Sequence, residues 1–139
     1  YSHKPTNFLI YGAIDDLWTN SKDEYVGVDY KATAKTDDIT ELDKSWNEGY
    51  KRQMEVYQWL LRRNGYKVSD TGYFVYCNGK ADREAFDGKL DFDITLIPYT
   101  GKDAWVEKTV NEIHACLNSD DIPEANDDCD YCAFVTARN

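Results

Sequence analysis

The chain has 139 residues, 42% hydrophobic and 14% aromatic, which suits a single folded domain with a proper core. No apolar run approaches the roughly 18 residues of a membrane span and no signal peptide is visible, so the chain reads as cytoplasmic, with no membrane partner. The net charge of −10 argues against strong unassisted binding to nucleic acid. That acidity is uneven, because residues 82–132 carry fourteen acidic side chains against four basic ones. A binding face built on Lys31, Lys35, Lys51, Arg52, Arg62 and Arg63 stays open.

The chain begins at Tyr1, and His3 reads as an exposed terminal side chain. Residues 8–18 read as a long strand with Gly12 inside it, the mark of a bulge or of a close approach by another segment. A polar stretch, Thr19 to Glu24, predicts a hairpin turn centred near Lys22. Residues 25–33 form the second strand. Side chains alternate along it, so Val26, Val28 and Tyr30 share one face and Gly27, Asp29 and Lys31 the other. Asp29 and Lys31 then stand roughly 6.5–7 Å apart, a spacing at which a carboxylate and an ammonium can meet one phosphate. Taken alone, a D-x-K triplet is an ion pair on a strand face.

The hairpin changes that reading. It brings Asp15 opposite Asp29, and directly opposed Cβ atoms lie about 4.5–5.5 Å apart. Two carboxylates so close repel unless a cation or a proton lies between them. A register slip of one residue would present Asp16 instead.

A polar connection spans residues 34–42, and Ser45 with Glu48 reads as a capping box. A helix follows over 46–64, with Trp46, Tyr50, Gln53, Met54, Tyr57, Leu60 and Leu61 at helical spacing. Arg62 and Arg63 suit its last turn and Gly65 its C-terminal cap. Gln53 and Tyr57, at i and i+4, point the same way. Residues 72–78 read as a strand buried on both faces, and 80–89 as a charged connection. Residues 90–97 alternate as a half-exposed strand closed by Pro98, with Asp91 and Asp93 on a solvated face. Residues 102–117 form a second helix with Trp105, Val106, Val110, Ile113 and Leu117 on one side; His114 lies late in it. The order strand, strand, helix, strand, strand, helix predicts an α/β fold, a mixed central sheet flanked by helices.

Gly12-x-x-Asp15, Asp29-Tyr30-Lys31 and Gln53-x-x-x-Tyr57, on strand, strand and helix in that order, resemble the PD-(D/E)XK nuclease superfamily. The likeness is greatest to its RecB-like exonuclease branch, which includes the CRISPR-associated RecB-like nucleases. It is tight from Gly12 to Tyr57 and loose beyond. The resemblance implies a restriction-endonuclease-like fold and a metal-dependent DNA nuclease, an exonuclease by branch, of repair or recombination. It implies Mg²⁺ or Mn²⁺ held by Asp15, Asp29 and the Tyr30 carbonyl. Lys31 would act on the attacking water, and Gln53 and Tyr57 would bracket the site. Its partners would be DNA and other domains or subunits of a larger nuclease or helicase assembly. Family members carry a helix ahead of the first strand, so residues 1–139 read as one nuclease-like domain without that helix. The rival reading is a catalytically inactive module of the same fold that binds DNA or protein.

Of four cysteines, Cys77 and Cys116 read as core, while Cys129-x-x-Cys132 is a hook able to present two thiolates to zinc or iron. Relatives that carry an iron–sulfur cluster have a third cysteine six residues further on. Arg138 stands there, and no complete iron–sulfur set is expected in this chain.

Overall fold

The computed structural model describes residues 1–37, 39–81, 88–126 and 128–138, the Trp46 side chain excepted. Most of the connection expected over 80–89 lies outside them. Two chain segments build the sheet. Strands β3 (Asp16–Thr19) and β4 (Tyr25–Thr33) form an antiparallel hairpin, paired from Thr19↔Tyr25 to Asp16↔Val28. Asn20 shapes its turn, since Oδ1 accepts the Lys22 and Glu24 amides at 2.9 and 3.1 Å. Helix α1 (Glu48–Arg63) then carries the chain over the sheet to β5 (Thr71–Gly79), which runs parallel to β4. A parallel pair needs such a crossover. Strand β6 (Phe92–Thr100) closes an antiparallel edge, for the order β3-β4-β5-β6. The result is the expected α/β architecture, a mixed sheet flanked by helices.

The first long strand is interrupted. Strands β1 (Ser2–His3) and β2 (Phe8–Leu9) pair in a hairpin of their own, and the chain rejoins the sheet only at Asp16. Within the interruption, a Cβ on Gly12 would lie 3.0 Å from the Tyr57 ring, so this backbone rests on α1. His3 is likewise not exposed. It is 1% accessible, with its ring nitrogens 2.7 Å from Thr6 Oγ1 and 2.8 Å from Glu107 Oε1, because the β1–β2 hairpin folds onto helix α2 (Ala104–Leu117).

The capping box does not form. A 3₁₀ turn, Ser45–Asn47, leads into α1, and no side chain caps the helix. Glu48 pairs instead with Lys51 at 2.6 Å. The other end follows expectation. Gly65 takes φ +86°, its amide reaches Arg62 O at 3.0 Å, and the Tyr66 amide reaches Leu61 O at 3.1 Å, a Schellman motif.

Met54 is fully buried and packs with Leu42, Phe74, Tyr76 and Ile97 between α1 and the sheet. It approaches a floor of two glycines, Gly27 and Gly72, on neighbouring strands. A Cβ on Gly72 would lie 2.6 Å from Met54 Sδ and 3.0 Å from the Gly27 carbonyl oxygen. Gly72→Ala should therefore destabilise the fold by about 1–3 kcal/mol, the usual range for overpacking. Urea unfolding checks this, and an unchanged midpoint would show that the floor has slack.

Strand β6 reverses the expected facing. Its register, Phe74↔Ile97 and Tyr76↔Thr95, aligns the odd-numbered residues with the α1 side of β5. Ile97 is buried there, while Phe92, Ile94 and Leu96 are exposed on the outer face, which also carries Trp18 and Tyr30. Pro98 does not end the strand but pairs with Tyr73 inside it, which an edge strand tolerates. Helix α2 packs on α1 through Val106 and Val110 against Trp59 and Leu60. Ile113 and Leu117, expected on that stripe, are exposed. So is Cys116, expected in the core, whereas Cys77 is half-buried. A short helix α3 (Asp130–Thr136) ends the fold with no buried residue. Among the described residues, no helix is long and apolar enough to cross a membrane.

Candidate active site

The site forms where β4 passes beneath α1. Asp29 is central on β4 and 2% accessible. Strand alternation puts Lys31 on the same face two residues on. The Lys31 ammonium pairs with Asp29 Oδ2 and donates to Gln53 Oε1 of α1 at 3.3 Å. Gln53 Nε2 in turn donates to the Tyr57 hydroxyl at 2.7 Å. One chain of contacts thus joins Asp29, Lys31, Gln53 and Tyr57 across two elements. Tyr57 closes it against Gly12, whose missing side chain makes room for the ring.

Asp15 enters from the other side. The β3–β4 ladder ends at Asp16↔Val28, and one further step of that register sets Asp15 across from Asp29. Asp15 Oδ2 accepts the Tyr30 amide at 2.9 Å, where β3 no longer supplies a partner. Asp16 turns to the opposite face. Its carboxylate accepts from the Leu17 amide (2.8 Å), Trp18 Nε1 (3.0 Å) and the Tyr30 hydroxyl (3.0 Å). Trp18 foremost, then Tyr30 and Leu17, hold the Asp16 carboxyl below its ordinary range. The same contact pushes the Tyr30 phenol up. Asp16 is thereby committed to the outer face of the sheet.

Tyr50 belongs to this region too, although the sequence offered it only as part of an apolar stripe. Lys31 Nζ lies 4.4 Å from the centre of its ring, a cation–π contact. Its position three residues before Gln53, on the same helical face, is the signal that could have found it.

The Asp15 and Asp29 carboxylates are hard, anionic oxygen donors. Asp29 Oδ2 is buried and, although it faces the Lys31 ammonium, makes no aligned hydrogen bond. Among the described residues, no group of three or more His, Cys, Asp and Glu side chains could hold a metal. Two carboxylates with a backbone carbonyl nevertheless suit magnesium, which keeps several waters and needs only one or two carboxylates beside a phosphate. The donor set fits such an ion.

The residues of the proposed basic face are less available than their sequence suggests. Arg62 binds Asp70 and Asp103, each at 2.6 Å, and Arg63 binds Glu107 at 2.5 Å. These pairs fasten α1 to its neighbours. At the other end of the chain, Cys129 Sγ caps α3 by accepting the Cys132 amide at 3.4 Å, and that amide heads the contacts that draw the Cys129 thiol down.

The model of the PD-(D/E)XK nuclease superfamily matches residues 2–137. This chain belongs to the PD-(D/E)XK nuclease superfamily. No curated protein and no solved structure matches it. The mixed four-stranded sheet agrees with the restriction-endonuclease-like fold of this superfamily. Its members are in general hydrolytic nucleases that act on nucleic acid and typically use divalent metals such as Mg²⁺, although inactive members exist.

Proposed function

We propose that this superfamily member is a divalent-metal-dependent deoxyribonuclease, an exonuclease of the RecB-like branch, that hydrolyses phosphodiester bonds in DNA. The observation that supports it most is the placing of the Lys31 ammonium between the Asp29 carboxylate and the Gln53 carboxamide. Asp15, Asp29 and the Tyr30 carbonyl are the residues that would hold Mg²⁺ or Mn²⁺. Bound there, the ion supplies Lewis-acid polarisation of the phosphate and a lowered pKa for a bound water.

The chain's own groups do the rest. Lys31 sets a positive charge where negative charge develops on the phosphoryl oxygens, and its three donors can orient the attacking water. Gln53 fixes that ammonium from above, and Tyr57 fixes Gln53 through its other amide atom. Asp15 accepts the Tyr30 amide and so holds the Asp29–Tyr30 peptide. DNA is the partner in this reading, in the cytoplasm and within a larger nuclease or helicase assembly.

Labelled single- and double-stranded DNA, incubated with Mg²⁺, Mn²⁺ or EDTA, tests the proposal. Cleavage from the ends with either metal and none with EDTA is expected. DNA binding without cleavage under every metal condition would favour the inactive module instead.

A further inference from the structure

Beside the site lies a cavity of about 380 Å³, lined by Lys35, Thr40, Glu41, Lys44, Asn47 and Tyr76 among others. That volume is near the lower end of small-ligand pockets, roughly 300–1,000 Å³. One of its walls, Tyr76, stands beside Lys31 in the sheet. Tyr76 is the register partner of Lys31 on the neighbouring strand, so the two backbones are about 4.8 Å apart.

Asn47 makes this more than a surface hollow. The residue is 4% accessible, lines the cavity, and its side-chain Oδ1 is buried without a hydrogen-bond partner. A buried carboxamide oxygen left unpaired is costly, and a ligand's N–H group would relieve it. Two of its lining residues are tied to the sheet. Asn78 ties the Lys35 backbone through two bonds, the Lys35 amide to Oδ1 at 2.8 Å and Nδ2 to the Lys35 carbonyl at 2.9 Å. Tyr76 is 8% accessible and belongs to the core cluster. Burial first, then Tyr50, push its phenol up, so it stands as an O–H donor.

The charge of the lining selects among occupants. Asp37, Glu41 and Asp43 outnumber Lys35 and Lys44, and Lys44 pairs with Asp43 at 3.3 Å. Such a lining repels a phosphate but suits a flat, neutral group rich in donors and acceptors. Asparagine presents adjacent acceptor and donor atoms, the pattern that reads the N6 and N7 edge of adenine. An aromatic wall suits a base in any sequence.

We propose that this cavity receives the nucleobase next to the scissile phosphate, with Asn47 Oδ1 accepting the exocyclic amine. The inference rests on the nuclease reading for its biological sense, but its test does not depend on cleavage. The ¹⁵N-labelled chain is titrated, without metal, with dAMP and with deoxyribose 5-phosphate, the same sugar phosphate lacking a base. Expected are dAMP-dependent shifts at the Asn47 side-chain amide and through residues 35–47, with the baseless compound giving none there. Asn47→Ala should weaken dAMP binding at least tenfold while leaving amide signals outside this loop in place. Equal shifts with and without the base in the wild-type chain overturn the subsite, even in an active nuclease, and so does undiminished dAMP binding by a folded Asn47→Ala. A chain that cuts no DNA but shows the base-dependent shifts keeps the subsite and refutes only the nuclease reading.

Discussion

Asp29→Ala should abolish Mn²⁺ binding and DNA cleavage together. Asp29 supplies the buried carboxylate of the candidate site, and its Oδ2 faces the Lys31 ammonium without an aligned hydrogen bond. Without it, only the Asp15 carboxylate and the Tyr30 carbonyl remain, and one Asp15 oxygen is already engaged by the Tyr30 amide. A single carboxylate is a poor site for an ion that gives up its water reluctantly. The substitution also strands the Lys31 ammonium, whose side chain is 17% accessible and loses its counter-charge. Cleavage should fall by about 10³ or more, since the ion's whole electrostatic contribution goes with it. Calorimetric Mn²⁺ titration beside a cleavage assay, with a thermal melt to confirm folding, reads this. Unchanged Mn²⁺ affinity would remove Asp29 from the ligand set.

Glu55→Ala should cause the largest loss of stability. Glu55 is 7% accessible, and its carboxylate receives the Tyr99 hydroxyl at 2.6 Å, the Lys102 amide at 2.9 Å and Trp105 Nε1 at 2.6 Å. It joins α1 to the end of β6 and to the first turn of α2. Deleting it leaves three donors without their acceptor. At about 1–3 kcal/mol for each unsatisfied group, with partial relaxation, a total of about 3–5 kcal/mol is expected. Burial works to raise the Glu55 carboxyl, but the bonds from Tyr99, Lys102 and Trp105 outweigh it and hold the group below its ordinary 4.5. A depressed folded-state value means that the contribution is full at neutral pH and fades as pH falls below 4.5 through the folded value. Wild type should therefore lose stability on acidification more steeply than Glu55→Gln, which has no charge to protonate. Denaturant midpoints measured from pH 7 to pH 3 check it, and parallel curves for the two proteins would contradict it.

Short-range patterns told most of the fold. The Val-rich alternation of β4, the polar turn around Lys22 and the helical stripe ending at Gly65 each follow from local sequence, and each is in place. At the break in the first strand, Gly12 was legible as the mark of a bulge or close approach, but not that Tyr57 is the neighbour, since the two residues lie far apart in the chain. The apolar row of β6 faces outward for a similar reason. Alternation shows that a strand has two faces, and only the register with β5 decides which one meets α1. His3 was misread because its partner, Glu107, lies more than a hundred residues away. In the candidate site, the spacings of Asp29 and Lys31 and of Gln53 and Tyr57 gave the shared faces. Tyr50 and Asn47 were missed because neither carries a charge: Tyr50 is marked by its helical face and the Lys31 contact, Asn47 by its burial.

The central claim is that Asp15, Asp29, Lys31 and Gln53 form one reacting centre, and Lys31→Ala tests it most directly. The variant is compared with wild type in single-turnover DNA cleavage under saturating Mn²⁺, with Mn²⁺ binding followed in parallel. The account predicts a cleavage rate about 10²–10³ lower, as for loss of one preorganised donor, with Mn²⁺ binding retained. A Lys31→Ala protein that cuts DNA as fast as wild type would contradict it and leave Lys31 as no more than the partner of Asp29 on a strand.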